Sequence, residues 1–246
     1  MAYGIIDSGL GGYRNYLALR KAYPKASFVF LADQINAPYG NKTKDELLSI
    51  AQKNMQWFLS QNIHHVIIAC NTMNSMIFKE LKENFKEITF HDIVLPTVNA
   101  LVGLNHKHWA VLATQRTIDS HLYETSMEAL LKNVSVEGIA LPKLVKLIED
   151  MEEHQVIQNY LKESIPDHAF DAVLLGCTHY PIVADLIAKE LKVAVYDSES
   201  ALVNSLKEEA FDEGESICYT TGNAAHAKSQ AHILFKKEEE FKQVTF

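Results

Sequence analysis

The 246-residue sequence contains only three cysteines, Cys70, Cys177 and Cys218. An odd count with no secretion signal predicts free thiols rather than a disulfide framework. Positive charge is also scarce: 23 Lys and Arg stand against 31 Asp and Glu, a formal net charge of −8. No basic stripe is visible, so neither nucleic acid nor an anionic membrane is expected as a partner. A small anionic substrate stays open, because backbone N–H groups bind carboxylates without Lys or Arg. No apolar run approaches a membrane span. Residues 1–12 lack a basic n-region and a long apolar stretch, so no signal peptide is read and a cytoplasmic location is expected. Several motifs are missing too. Gly9-Leu10-Gly11-Gly12 is neither the dinucleotide fingerprint nor a P-loop. The cysteines lack CxxC spacing and no HxxxH accompanies them, so zinc is not expected. His64-His65 and His106/His108 lack supporting ligands and read as surface or packing residues. Ser8 has no evident triad partners.

What is present reads as an ordinary globular chain, with 48 % hydrophobic and 22 % charged residues, enough for one large or two ordinary domains. Short apolar runs at 3–6, 27–31, 65–69, 90–94, 108–112, 172–175, 193–196 and 217–220 lack strict alternation, as buried parallel strands do. Between them lie helical patterns at 45–61, 74–84, 98–104, 120–131, 156–164, 180–191 and 198–213. The first places Leu47, Leu48, Ala51, Met55, Phe58 and Leu59 on one face. The run Lys236-Lys237-Glu238-Glu239-Glu240 reads as a solvated helix face. Alternating β and α segments imply doubly wound, mainly parallel sheets.

The chain also repeats itself. His65–Cys70 and Ala172–Cys177 are each an apolar strand ending in a small residue and then Cys, followed by Thr and a helix. The cysteines are 107 positions apart, and Gly4–Ser8 corresponds to Ala110–Thr114 at nearly that offset. Two pseudo-symmetric α/β domains are expected, 1–96 with 208–246 and 97–207, with the C-terminal segment returning to the first half. Their shared crevice is the expected active site.

Ligands bind beyond the carboxyl ends of strands in such sheets. Polar clusters stand there: Asp7-Ser8-Gly9, Cys70-Asn71-Thr72, Thr114 with Thr117, and Cys177-Thr178-His179. The loop Pro38-Tyr39-Gly40 is a fifth. Thiols at equivalent positions of two opposed halves meet the demand of racemisation, which needs an acid/base group on each face of a planar intermediate. Each Cys precedes a helix, whose dipole favours thiolate. The bland alternative is a small buried hydrophobe, and Cys218, inside a strand-like run, is read that way. Asp7 and His179 are candidate partners for the thiols, though a turn residue and a helix cap describe them equally well alone. Glu149 is a weaker candidate by spacing. The glycine turn suits close backbone approach to a carboxylate.

The run Asp7-Ser8-Gly9-Leu10-Gly11-Gly12 resembles the DSGxGG motif of glutamate racemases, in the aspartate/glutamate racemase family. Pro38-Tyr39-Gly40, Cys70-Asn71-Thr72, Thr114-Gln115-Arg116-Thr117 and Cys177-Thr178-His179-Tyr180-Pro181 match further motifs of that family in order. The stretch 142–149 is a looser match, and Asp197-Ser198 and Thr221-Gly222-Asn223 resemble its late landmarks. The resemblance implies racemisation of glutamate with no cofactor and no metal, Cys70 acting on D-glutamate and Cys177 on L-glutamate. It implies that Asp7 assists Cys70, that His179 and Glu149 assist Cys177, and that Asn71, Thr72, Thr117 and Thr178 hold the α-carboxylate and amino group. Ser8, Tyr39 and Gly40 would contact substrate, the last two mainly through backbone N–H, with Pro38 and Thr114 beside them. The implied role is D-glutamate supply for bacterial peptidoglycan, and a homodimer is admitted. Met73-Asn74-Ser75 stands where the family usually has small residues, so Met73 is expected near the site, where it would narrow it. Leu95 replaces a frequent Glu. A racemase of another acidic amino acid such as aspartate, and a non-catalytic binder of such compounds, remain open.

Overall fold

The computed structural model describes residues 1–165 and 170–246. Among them, ten strands form two sheets. The first orders β10 (Phe241–Gln243), β9 (Ile217–Thr220), β2 (Phe28–Ala32), β1 (Tyr3–Asp7), β3 (His65–Ile68) and β4 (Thr89–His91). The second orders β6 (Ser135–Ala140), β5 (His108–Ala113), β7 (Ala172–Gly176) and β8 (Ala194–Tyr196). Every ladder between these strands is parallel. The run β2-β1-β3-β4 has the same order as β6-β5-β7-β8, so β1 and β5 are each flanked on both sides, and Cys70 and Cys177 follow equivalent strands, β3 and β7.

The helices are α1 (Tyr13–Ala22), α2 (Lys44–Ser60), α3 (Asn71–Asn84), α4 (Val94–Ala100), α5 (Gln115–Asp119), α6 (Leu122–Leu130), α7 (Leu144–Glu149), α8 (His154–Ser164), α9 (Ala184–Leu191), α10 (Glu199–Ser205) and α11 (Ala224–Phe235). The inner strands β1, β2, β3, β5 and β7 are apolar on both faces because helices cover both. Tyr3 and Ile5 join the central core, while Ile6 turns to the core under α2 and α3. Likewise Trp109, Val111 and Ala113 face the central core, and Ala110 and Leu112 the core under α7 and α8. This is the period-two alternation of a strand. One apolar cluster thus reaches from the first sheet to the second. Each fully buried Ile or Leu in it contributes roughly 1.5–3 kcal/mol of transfer free energy.

Local chemistry explains where elements begin and where expectation failed. Thr43 and Glu46 form a reciprocal capping box that starts α2. The strand expected at 90–94 stops at His91. Asp92 Oδ1 accepts the Leu95 N–H at 2.8 Å, α4 begins at Val94, and Pro96 sits in the first turn, where its missing N–H costs nothing. The helix expected at 98–104 is therefore α4, shifted upstream. The helix expected at 120–131 is α6, which begins only at Leu122 because His121, in the left-handed region with φ 52°, separates it from the preceding α5. The helix expected at 198–213 ends at Ser205. Downstream, Ala26 pairs with Glu213. Lys236, also left-handed, closes α11, so 236–240 is not a helix face but the link to β10. Its Glu239 is held by Arg20 Nη1 at 2.7 Å and the Tyr13 hydroxyl at 3.1 Å. No helix among the described residues is long and apolar enough to cross a membrane.

Candidate active site

Asp7 ends β1 and is fully buried. Its Oδ2 accepts the N–H of Gly9 (3.3 Å) and Gly12 (3.0 Å), and its Oδ1 accepts the Thr178 hydroxyl (3.2 Å). The carboxylate cradled by the glycine turn is thus the protein's own. Burial pushes the Asp7 carboxyl above its ordinary range, against the opposing pull of the His179 charge and the two backbone donors. The glycines are needed for close approach. A Cβ at Gly11 would lie 2.5 Å from both His179 Nδ1 and Thr178 Oγ1, and one at Gly12 would lie 2.6 Å from Asp7 Cβ.

Cys70 is the N-cap residue of α3, where the backbone N–H groups of Met73 and Thr72 face its thiol and pull its proton affinity down. Asn74 fixes this turn by donating to the carbonyls of Ile68 (2.6 Å) and Cys70 (2.9 Å). Burial first, then the nearby Asp7 charge and Cys177, raise the Cys70 thiol above the usual range despite those two donors. Met73 itself points into the core under α2 and does not line the pocket. The side-chain narrowing expected of it is therefore corrected: it reaches the site only through its backbone N–H. Leu95 lies outside the pocket and is half exposed.

Cys177 follows β7 and leads into a 3-10 turn at Tyr180–Val183, anchored by Tyr180 donating its hydroxyl to Leu141 O at 2.9 Å. His179 is buried and hydrogen-bonds both the Cys177 thiol and, through Nε2, Glu149 Oε1 at 2.8 Å. Burial alone would favour neutral imidazole, but these two partners outweigh it and hold His179 well above its ordinary range. Burial likewise works against the Glu149 carboxylate, and the His179 bond overcomes it, leaving Glu149 below its ordinary range. Glu149 ends α7, only partly exposed.

One pocket between the sheets is lined by Ser8, Pro38, Tyr39, Gly40, Cys70, Asn71, Thr72, Thr114, Cys177, Thr178 and His179, together with Val145. The structure brings together residues from both sheets here. Asp7, Glu149 and Thr117 stand behind this lining, bonded to Thr178, His179 and Thr114 respectively. Thr72 Oγ1 meets Thr114 Oγ1 at 3.0 Å, and Thr114 meets Thr117 at 3.0 Å, a hydroxyl chain crossing from one sheet to the other. The free room admits water-sized spheres over only about 20 Å³, the space of about one water. Admitting an amino acid therefore needs the walls to part.

Three contributors escaped sequence reasoning. Val145 supplies an apolar wall from α7. Tyr123, fully buried on α6, donates its hydroxyl to Asn71 Oδ1 across the sheets, which leaves the Asn71 amide N–H groups for the pocket. Asp33, buried after β2, accepts from Tyr39 (2.6 Å), Asn36 (2.9 Å), Asn54 (3.1 Å) and Thr221 (2.7 Å) and so fixes the loop bearing Pro38-Tyr39-Gly40. The polar Asn54, on the otherwise apolar face of α2, was the available signal.

Residues 19–206 match the profile of the Asp/Glu/hydantoin racemase family. The chain belongs to this family. It is 30 % identical to the glutamate racemase of Fusobacterium nucleatum over 256 aligned positions, covering 98 % of this chain and 96 % of that one. A crystal structure of the Francisella tularensis glutamate racemase in complex with D-glutamate superposes with a TM-score of 0.87 at 26 % identity, covering 99 % of this chain and 97 % of the other. A Bacillus anthracis glutamate racemase isoform, 23 % identical, shares the fold at a TM-score of 0.90 over 100 % of this chain and 97 % of its own.

Proposed function

We propose that this racemase interconverts L- and D-glutamate by two thiols without a cofactor, supplying D-glutamate for bacterial cell-wall peptidoglycan in the cytoplasm. The observation that carries the reading is that Cys70 and Cys177, from equivalent turns of opposed sheets, line one pocket. The two lobes of this reading are residues 1–96 with 208–246, and 97–207.

From L-glutamate, the Cys177 thiolate takes the α-proton, and the electron pair stays on Cα as a planar carbanion. The Cys70 thiol gives its proton to the opposite face and becomes the thiolate. D-glutamate runs the same steps in reverse. The support for these roles differs on the two sides. The raised His179 offers a cation beside Cys177, while the raised Cys70 thiol is poised to donate. Asp7 acts on the Cys70 side. Asn71, Thr72 and Thr178 hold the α-carboxylate and amino group, with Thr117 acting behind them through Thr114. Ser8, Pro38 and Thr114 complete the contacts. Tyr39 commits its hydroxyl to Asp33, which leaves its backbone, with that of Gly40, for substrate.

Racemisation in deuterated water tests this. Early D-glutamate formed from L-glutamate should carry deuterium at Cα, while unreacted L-glutamate stays protiated. Efficient transfer of the original proton into product would mean a single shuttling base and would overturn the two-thiol mechanism. For the substrate, glutamate should be turned over with much higher kcat/KM than aspartate, because the shorter side chain leaves donors unpaired. Equal values would overturn the substrate assignment and leave the mechanism standing.

A further inference from the structure

Far from the pocket, at the base of the first sheet, three side chains that the racemase reading leaves unused face one another. His65 opens β3, His91 closes β4, and Glu209 lies in the connection between α10 and β9. His65 Nδ1 stands 3.3 Å from His91 Nε2, and one ligand atom from each of the three residues falls within 4.8 Å of the others. Beneath them, the buried Tyr3 packs its ring against both imidazoles, with centroids 4.6 and 5.3 Å away, and donates its hydroxyl to Glu209 Oε2 at 2.6 Å.

We propose that His65, His91 and Glu209 form a binding site for one divalent transition-metal ion of the zinc type, with water completing the coordination. Tetrahedral zinc with Zn–N bonds of about 2.0–2.1 Å sets neighbouring ligand atoms about 3.3–3.4 Å apart. The two imidazole nitrogens already stand at that separation. Glu209 is exposed and closes on the ion by side-chain rotation. The Tyr3 hydroxyl is the outer hydrogen bond that orients a ligating carboxylate. Two imidazoles with one carboxylate select zinc-like ions over magnesium or calcium, which prefer all-oxygen shells. Without an ion, the facing nitrogens can share only one proton. The charges around them are Glu209, the N-terminal amine paired with Asp212, Asp92 and the neighbouring His64.

The site has a structural consequence. Glu209 belongs to the segment that carries the chain from the second sheet back to β9 of the first. An ion at this position ties that returning segment to β3 and β4. Cys70 lies at the other end of β3, on the order of 15 Å away along the extended chain, so the ion takes no part in proton transfer.

The test uses the untagged full chain carrying Cys70→Ser and Cys177→Ser, so that the pocket thiols cannot compete for metal. Zn²⁺ titrated by calorimetry should bind at one equivalent with micromolar or tighter affinity and raise Tm. Co²⁺ in the same protein should give visible d–d bands with no thiolate charge-transfer band. His91→Ala should weaken Zn²⁺ binding by about tenfold or more. Glu209→Gln should do the same, while its amide oxygen still accepts the Tyr3 hydroxyl, so the metal-free melting curve should move little. No one-equivalent binding in the parent chain, or an unchanged Kd in Glu209→Gln and His91→Ala, would overturn the site.

Discussion

The turn after β3 and the turn after β7 occupy the same place in two sheets of the same order, and each ends in a buried cysteine. They surround the sulfur with different groups. Cys70 is the N-cap of a helix of 14 residues, and the backbone N–H groups of that helix's first turn face its thiol. Cys177 precedes only a 3-10 turn containing Pro181, which offers fewer amide donors. The missing donors are replaced by the His179 imidazole and, behind it, Glu149. The carboxylate on the first side, Asp7, works against a Cys70 thiolate rather than for it. The repeat thus conserves position but not electrostatics. One thiol is biased to hold its proton, while the other stands beside a cation.

The sharpest way to break the comparison is to remove each sulfur. Cys70→Ala and Cys177→Ala should each lower kcat by a factor of about 10² to 10⁴ or more, whereas Cys218→Ala, at a position packed in the central core, should leave turnover near wild type. Steady-state racemisation assays on the three variants check this. Wild-type turnover in either of the first two would remove the symmetry on which the reading stands.

Removing the differing partners should separate the two sides. His179→Ala is expected to lower kcat roughly 10²-fold. The equilibrium constant of racemisation is unity, so kcat/KM must fall equally for both enantiomers. The asymmetry will show in isotope effects instead. Slowing the Cys177 step should raise the effect from α-deuterated L-glutamate and lower that from α-deuterated D-glutamate. Asp7→Asn, acting on the Cys70 side, should give the opposite pattern. Equal isotope effects in both variants would mean that the two sides are not independently tuned.

Much of this contrast was legible beforehand, and the reason is physical. Buried parallel strands announce themselves as short apolar runs, and β1, β2, β3, β5, β7 and β9 fall where those runs lie. Two edge strands do not: β6 reads Ser-Val-Glu-Gly-Ile-Ala and has four exposed or half-exposed residues at its start, and β10 has only Phe241 buried. Helices α7 and α11 are short or weakly patterned. In the site, the motif residues that line the pocket came from local sequence. Tyr123, acting through a long-range bond, was invisible, because nothing in its neighbourhood indicates the partner far along the chain. Met73 shows the converse error. Its place in the sequence is beside the Cys70 turn, but the helical period sends its side chain into the core.

A smaller effect is expected from Glu149→Gln, and its sign follows from the paired shifts. His179 is held above the value of about 6.5 for an unfolded imidazole, so its contribution to stability is complete below that value and is lost as pH rises through the folded one. Glu149 is held below its ordinary range, so its contribution is present above that range and is lost as pH falls through its folded value. The pair stabilises between these limits. Glu149→Gln should pull the upper limit down, shift the alkaline limb of the pH–rate profile to lower pH, and cost roughly 10-fold in kcat, about the worth of one charge-assisted hydrogen bond near 1.5 kcal/mol. Melting temperature against pH and the activity profile give two independent readings. An unmoved alkaline limb would mean that the Cys177 thiol alone, and not Glu149, keeps His179 charged.

The smallest expected effect lies on the contact that joins the two sides. Tyr123 reaches from α6 of one sheet's layer to Asn71 beside the thiol of the other. An amide side chain is free to turn, and its two ends differ: one accepts and one donates. Because the Tyr123 hydroxyl donates to Oδ1, the Nδ2 group is directed to the pocket, where a carboxylate needs a donor. Tyr123→Phe removes that preference without removing Asn71, and it leaves Oδ1 without this partner. Binding should weaken by the worth of one neutral hydrogen bond, about 0.5–1.5 kcal/mol, and appear as a KM raised by several-fold with kcat changed little. Asn71→Ala should raise KM at least as much, and the double variant should cost no more than Asn71→Ala alone, because Tyr123 acts only through the amide. Additive effects in that double-mutant cycle, or a Tyr123→Phe loss confined to kcat, would show that Tyr123 serves the fold or the proton transfer instead of the orientation of Asn71.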